Sequence, residues 1–266
     1  MMSTMHMLPR NSSLLNVMRA NALDALKQVK VHSSATRICC HERDPFTVYT
    51  LIVACDATKS WWIIKKRYSE FLGLRKHLQS LVQKAKAFSD LKPLCALLQP
   101  ILAKTFPKKH LRLDTEAIVA ERKTAFHAFV ASLMAIRSEC MFVAPDDAAL
   151  SRHTAQLNAL LDTFLEVPGR HKAEERMRTS SLGLFTPPVD DPRAFHDDSH
   201  FHHHDGDNVD DCPICLDALR GDDKDDESVL RLACGHSFHE SCVVHWLEQK
   251  VACPLCRQAA TGGSIG

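Results

Sequence analysis

Eight side chains near the C-terminal end constrain this chain more than any other feature. Cys212, Cys215, Cys234, His236, His239, Cys242, Cys253 and Cys256 all fall within one short stretch. The opening and closing pairs are both Cys-x-x-Cys (CPIC and CPLC). That spacing lets two thiolates from one tight turn reach the same zinc ion in tetrahedral geometry. Four close pairs give eight ligands, the number that two closed four-coordinate sites need. Closed sites leave no position for a catalytic water, so the metal's expected role is structural. A stretch of about 50 residues buries too little core to fold unaided, and metal binding would supply the missing stability.

The remaining cysteines of the 11 are Cys39, Cys40, Cys55, Cys95 and Cys140, which show no framework spacing. Residues 1–20 hold no apolar core long enough for a secretory signal. Paired cysteines mixed with histidines in an unexported chain read as a metal site, not as disulfides. No stretch approaches the roughly 18–20 apolar residues of a membrane span, so membrane contact is expected to be peripheral. Arg10 and Arg19, with several serines and no acid before Asp24, faintly suggest a transit peptide. A mobile tail or a leading helix over residues 14–29 is the favoured reading.

The formal net charge of +1 conceals an asymmetry. Residues 1–180 hold 27 Lys/Arg against 16 Asp/Glu, while residues 181–266 hold 6 against 16. A basic front and an acidic back suggest two modules with different partners. The basic part suits an anionic membrane surface or nucleic acid.

Five regions follow: a leader at 1–33, a folded region at 34–168, a disordered acidic linker at 169–209, the cysteine cluster at 210–258 and a Gly-rich tail at 259–266. In the second region, residues 46–55 (FTVYTLIVAC) and 61–66 (WWIIKK) are rich in β-branched and aromatic residues and read as strands. Residues 36–40 could form a preceding strand. Residues 69–86 carry Phe71, Leu72, Leu74, Leu78, Leu81 and Val82 at helical spacing. Further helices are expected at 114–136, with Asp114 or Thr115 as N-cap, and at 146–165. The fold class is therefore α+β: a small antiparallel sheet plus helices. Residues 200–204 (HFHHH) form a histidine tract in the linker, read as polar disorder ahead of weak metal binding.

The cysteine cluster at 210–257 resembles the RING finger family, of the kind with two central histidines. The resemblance implies a cross-brace in which Cys212, Cys215, His239 and Cys242 hold one zinc ion. Cys234, His236, Cys253 and Cys256 would hold the second. RING fingers generally act as ubiquitin ligases with no covalent intermediate. They hold a ubiquitin-charged conjugating enzyme and orient its thioester toward a substrate lysine, which is catalysis by proximity. The family's contact residues are matched by Ile214 in the first zinc loop, Trp246 on a short helix, Pro254 in the second loop and Arg257 after the last ligand. The planar fork of an arginine suits a site that must bond two proteins at once.

The basic region resembles a PX (phox homology) domain over about residues 34–168, on FTVYT, the tryptophan-bearing strand, RYSEF at 67–71, FPKK at 106–109 and RKTAF at 122–126. The resemblance implies a phosphoinositide pocket. Arg67 would contact the 3-phosphate and Tyr68 would lie under the inositol ring. Lys109, with Lys108 as the alternative, would contact the 1-phosphate, and Arg122 the ring hydroxyls. Phosphatidylinositol 3-phosphate is the family's commonest ligand. The usual Pro-rich run is absent, and residues 94–102 (LCALLQPIL) could be a membrane wedge or a buried helix, with burial favoured. From periodicity alone, Arg122 shares a helical stripe with Ile118, Phe126, Phe129 and Leu133, and needs a partner or a wet pocket.

The expected protein is a RING-type ubiquitin ligase in the cytoplasm, peripheral on endosomal membranes, with two zinc ions as cofactor. Its expected partners are a conjugating enzyme, ubiquitin and a phosphoinositide membrane. The alternative is a non-enzymatic endosomal adaptor with a zinc-stabilised interaction module. Nucleic-acid binding is disfavoured.

Overall fold

A computed structural model describes residues 12–40, 43–110, 114–142, 148–181, 211–219 and 228–266. Helix α1 (Ser12–Lys27) leads into an antiparallel meander of β1 (Lys30–Cys40), β2 (Arg43–Cys55) and β3 (Ser60–Arg67). Helices α2 (Tyr68–Ala85), α3 (Lys92–Ala103), α4 (Glu116–Met141), α5 (Ala148–Leu165) and α6 (Gly169–Ser181) follow. The C-terminal part holds β4 (Val229–Leu232), β5 (Ser237–His239), α7 (Glu240–Gln249) and β6 (Gly262–Ile265). Mixed helix and sheet was expected. No helix among the described residues is long and apolar enough to cross a membrane.

Strand alternation divides the molecule into two cores. Leu51, Val53, Trp62 and Ile64 point from the meander into a helical layer of α2, α3, α4 and α5. The stacked pair Phe71 and Phe126 lies at its centre, with ring centroids 3.9 Å apart. Ile52, Ala54, Trp61 and Ile63 point the other way and join Leu230, Leu232, Phe238, Val243, Leu247 and Ile265 of the C-terminal part. Successive strand residues face opposite sides, so neighbours in one strand serve different cores.

The C-terminal residues complete the sheet. Strand β6 pairs antiparallel with β3 on one side and with β4 on the other, giving the order β1-β2-β3-β6-β4-β5. This departs from the expected Gly-rich tail, and the two glycines explain it. A Cβ on Gly263 would sit 1.8 Å from the Arg231 carbonyl oxygen, and one on Gly262 would sit 2.5 Å from that of Trp61. Only glycine permits backbones to approach this closely.

Two other expectations change. The first part of the expected linker, Gly169–Ser181, is α6. Its sequence lacks an apolar stripe, yet His171, Glu175 and Thr179 are buried. Polar bonds replace apolar contact: His171 Nδ1 lies 2.7 Å from Thr58 Oγ1 and 2.9 Å from Ser60 Oγ. Glu175 accepts two bonds from buried Arg137, which also reaches Asp162. In the expected leader, α1 matches the leading helix at 14–29, but β1 begins at Lys30, earlier than the strand expected at 36–40. Residues 94–102 fall within α3, with Leu94, Cys95, Leu98 and Ile101 buried, so the wedge reading is set aside for burial. The histidine tract at 200–204 lies outside the described residues.

Candidate functional site: two zinc clusters and a basic pocket

The zinc module is built on two matching turns. In the first, Cys212 N–H donates to Asp217 O (2.7 Å) and Leu216 N–H to Cys212 O (2.7 Å). In the second, Cys253 N–H donates to Gln258 O (2.8 Å) and Arg257 N–H to Cys253 O (3.0 Å). Leu216 and Arg257 occupy equivalent places and both have left-handed backbone, with φ of 65° and 60°. Each turn folds its two cysteines toward one point.

The eight ligand candidates gather into two groups, Cys212/Cys215/His239/Cys242 and Cys234/His236/Cys253/Cys256. The ligand atoms within each group lie within 4.8 Å of one another. This suits four ligands on one zinc at roughly 2.0–2.3 Å. The pairing interleaves along the chain, as the resemblance implied. Both histidines present Nδ1 to their cysteines: His239 Nδ1 lies 3.3 Å from Cys215 Sγ, and His236 Nδ1 lies 3.4 Å from Cys234 Sγ. On the far side of the ring, His239 Nε2 is 3.0 Å from Ala218 O. That carbonyl requires the proton on Nε2 and leaves the Nδ1 lone pair for metal. Burial lifts the thiols of Cys234 to about 12 and Cys242 to about 11. At Cys212 burial also opposes ionisation, but backbone amides of Cys215, His239 and Ile214 outweigh it and bring the thiol down to about 7. A divalent cation favours the thiolate throughout, because the thiolate is the ligating form. The donor set and its closed geometry fit two zinc ions.

Three parts of this module meet solvent. Ile214 and Leu216 in the first turn are 41% and 77% exposed, and Leu255 beside half-buried Pro254 in the second is 49% exposed. Trp246 on α7 is half-buried, and its indole N–H donates to Ala252 O (2.9 Å), which ties it to the second turn. Arg257 is exposed. Leu216 and Leu255 are exposed apolar residues that sequence reasoning did not single out. Each adjoins a ligand cysteine, which would have been the signal.

At the end of β3 away from its pairing with β6, the strand stops at Arg67 and α2 begins at Tyr68. Glu70 reaches back to accept from the Arg67 N–H (2.7 Å), fixing this junction. The Arg67 guanidinium lies 4.0 Å from the Phe46 ring centre and is exposed. Arg122 lies 3.9 Å from the Tyr68 ring centre, and the Tyr68 hydroxyl donates to Pro107 O (2.8 Å). Lys109 is exposed just beyond. Tyr68 thus stands between a loop supplying Lys109 and a helix supplying Arg122.

Arg122 is only 3% exposed at its side chain. It donates to Asp114 Oδ2 (2.6 Å) and to Lys108 O (3.3 Å). Asp114 was expected only as a candidate N-cap. Thr115 takes that position, accepting from Ile118 N–H, and Asp114 instead partners Arg122 and Thr47. An open concavity of about 520 Å³ lies beside Tyr68, Lys108 and Lys109, and its rim adds Arg75, Lys76 and Lys104. Arg67 and Arg122 do not line it.

The family model described as "Ring finger domain" matches residues 210–257, and the one described as "PX domain" matches residues 57–140. The chain therefore carries a PX domain and a C-terminal RING finger. Among curated relatives, mouse E3 ubiquitin-protein ligase RNF126 is 50% identical over 52 residues, 19% of this chain and 15% of that protein. Drosophila melanogaster E3 ubiquitin-protein ligase Iruka is 46% identical over 48 residues, 18% of this chain and 12% of that protein. Arabidopsis thaliana E3 ubiquitin-protein ligase AIRP1 is 42% identical over 48 residues, 18% of this chain and 29% of that protein. The similarity to the RNF126 proteins lies in the RING region, and the chain spans under a third of each relative's length. No solved structure matches the chain.

Proposed function

We propose that this protein is a RING-type ubiquitin ligase recruited to phosphoinositide-bearing membranes. The observation that carries the ligase reading is the open apolar face of the zinc module. Ile214 is exposed although apolar, and Pro254 and Trp246 are each half-exposed beside the zinc turns. Exposed apolar groups held rigidly by metal are a docking surface for a protein, here a ubiquitin-conjugating enzyme. Arg257 stands free at the rim, where its fork can bond both the enzyme and ubiquitin. The residues hold and orient the charged enzyme, and the neutral amine of the substrate lysine attacks the thioester carbonyl. The isopeptide bond forms as the C–S bond breaks, and the conjugating enzyme's cysteine leaves as a thiolate that takes up the amine's proton.

Membrane recruitment rests on Arg67, Tyr68, Lys109 and Arg122. Arg67 and Lys109 would meet phosphates, the first as a fork and the second as a point charge. Tyr68 would underlie the inositol ring. Arg122 supports Tyr68 from behind and, to reach a ring hydroxyl, must share its guanidinium with Asp114. Phosphatidylinositol 3-phosphate, and so an endosomal address, is the favoured lipid. Lys104 and Lys108 add general attraction to anionic lipid of about 1 kcal/mol each near the surface.

Autoubiquitination with a panel of conjugating enzymes tests the first half. Ile214→Ala removes an exposed side chain and leaves the fold intact, so activity should be lost with it. Full activity in that variant would refute the docking face. Vesicle sedimentation tests the second half: Arg67→Ala should abolish binding to phosphatidylinositol 3-phosphate, and unchanged binding would remove the pocket.

A further inference from the structure

We propose that β6 is a clip that makes the PX domain and the RING finger one rigid body, so that ubiquitin reaches only lysines presented at a set height above the membrane. The inference rests on the ligase and lipid readings above and adds the geometry between them.

Four observations carry it. The clip is backbone-bonded on both sides. Ile63 N–H donates to Thr261 O (3.0 Å) and Ile265 N–H to Lys59 O (3.0 Å), while Gly266 N–H donates to Val229 O (2.8 Å). The interface is also a shared core, with Trp61 wholly buried and its indole N–H donating to Arg231 O (3.2 Å). A second attachment lies at the opposite edge of the meander. There Glu240 of α7 bonds Lys30 (3.0 Å) and lies 3.4 Å from His32, both on β1. Anchors at both edges of one sheet oppose rotation about either. Finally, the clip and the lipid site share one strand. Strand β6 pairs with Ser60, Trp61 and Trp62, whereas Arg67 ends β3. At about 3.3 Å per residue, the six steps from Trp61 to Arg67 place the clip roughly 20 Å from the pocket.

A protein bound through Arg67 and Tyr68 therefore holds its RING finger at a fixed distance from the lipid site. The substrate class that fits is a protein held on the same membrane with lysines at the matching distance. A flexible linker would let the RING sample many heights; a clipped one does not.

The test uses the full chain on phosphatidylcholine vesicles containing phosphatidylinositol 3-phosphate. A lysine-bearing reporter is anchored to the same vesicles through spacers of graded length. In the wild type, transfer should peak at one length and fall at least about threefold for shorter or longer spacers, as effective concentration does when a span is fixed. In Gly263→Val the added side chain meets the Arg231 carbonyl, so β6 cannot seat and the profile should flatten. Ile265→Ala, which only thins the clip, should give an intermediate profile. Spin labels at exposed Gln83 on α2 and Gln249 on α7 supply a readout independent of activity. They should report one narrow distance in the wild type and a broad one in Gly263→Val. A flat spacer profile or a broad distance in the wild type overturns the rigid body, provided the same protein binds vesicles and discharges ubiquitin in solution. If wild-type protein fails either of those, the corresponding lipid or ligase reading falls, and this proposal with it.

Discussion

Trp61 and Trp62 are adjacent in β3 and bind opposite halves of the molecule. The Trp61 indole donates to Arg231 O in the zinc module at 3.2 Å, and the Trp62 indole donates to Leu165 O in the helical layer at 2.9 Å. Both side chains are essentially inaccessible, at 0% and 2% exposure. Each removal should cost about 3–5 kcal/mol, the usual range for a buried Trp→Ala change. The two losses should differ in kind. Trp62→Ala should lower the unfolding transition of the helical module. Trp61→Ala should leave that module folded and split a single unfolding transition into two, measured by calorimetry.

The Arg137–Glu175 pair gives a prediction about acid stability. Burial pushes the Glu175 carboxyl up, but His171 and Arg137 outweigh it and hold it below the ordinary carboxylate range. His171 Nε2 lies 3.0 Å from Glu175 Oε1, near enough for an ion pair although not aligned as a hydrogen bond. A carboxyl depressed in the folded state contributes stability above its unfolded pKa of about 4.3, and that stability is lost as pH falls through the lower folded value. Glu175→Gln should therefore cost several kcal/mol at pH 7, on the order of 3–5 for one partner removed from a buried pair. The gap to wild type should close below about pH 4. Urea unfolding of both proteins across that range checks it.

Asp114→Ala should leave Arg122 as a buried charge with its main partner gone, a loss on the order of 3–5 kcal/mol. Soluble inositol 1,3-bisphosphate should raise the melting temperature of this variant more than that of the wild type, because the freed guanidinium can then bond the ring hydroxyls without sharing itself with Asp114. Equal shifts in both would separate Arg122 from the headgroup.

Much of this was legible in the sequence, for reasons that differ by element. The eight zinc ligands follow from their spacing, because metal geometry tolerates few arrangements, whereas their interleaved grouping into two clusters came from the resemblance to RING fingers. Strands β2 and β3 and helices α2, α4 and α5 follow from local composition and period. Helix α6 was hidden because GRHKAEERMRTSS has no apolar stripe, and its burial comes from the remote partners Thr58, Ser60 and Arg137. Strand β6 was hidden because GGSI has little strand propensity and both of its partners are distant in sequence. One signal did exist for the docked RING. The runs LIVA and WWII are apolar at every position rather than at alternate ones, as strands buried on both faces are. Asp114 escaped as a site residue because an aspartate just before a helix reads as a cap, and nothing local marks its pairing with Arg122 or with Thr47, which is distant in sequence.

Metal removal should act on one module first. Elemental analysis should find two zinc ions per chain, one for each ligand cluster. Cys215→Ser or Cys234→Ser should leave at most one. Chelation should unfold the RING finger and release β6, exposing the face of Trp61, while the helical core around Phe71 and Phe126 persists. Tryptophan fluorescence and far-ultraviolet circular dichroism, followed together, separate the two events.

Single-turnover discharge of ubiquitin from a charged conjugating enzyme to free lysine tests the central claim most directly. With two zinc ions bound, the wild type should accelerate discharge. Arg257→Ala should reduce that acceleration about tenfold or more, since hydrogen bonds to a charged group contribute roughly 1.5–3 kcal/mol. Equal rates for Arg257→Ala and the wild type, or no acceleration by zinc-loaded wild type with any conjugating enzyme tried, would contradict it.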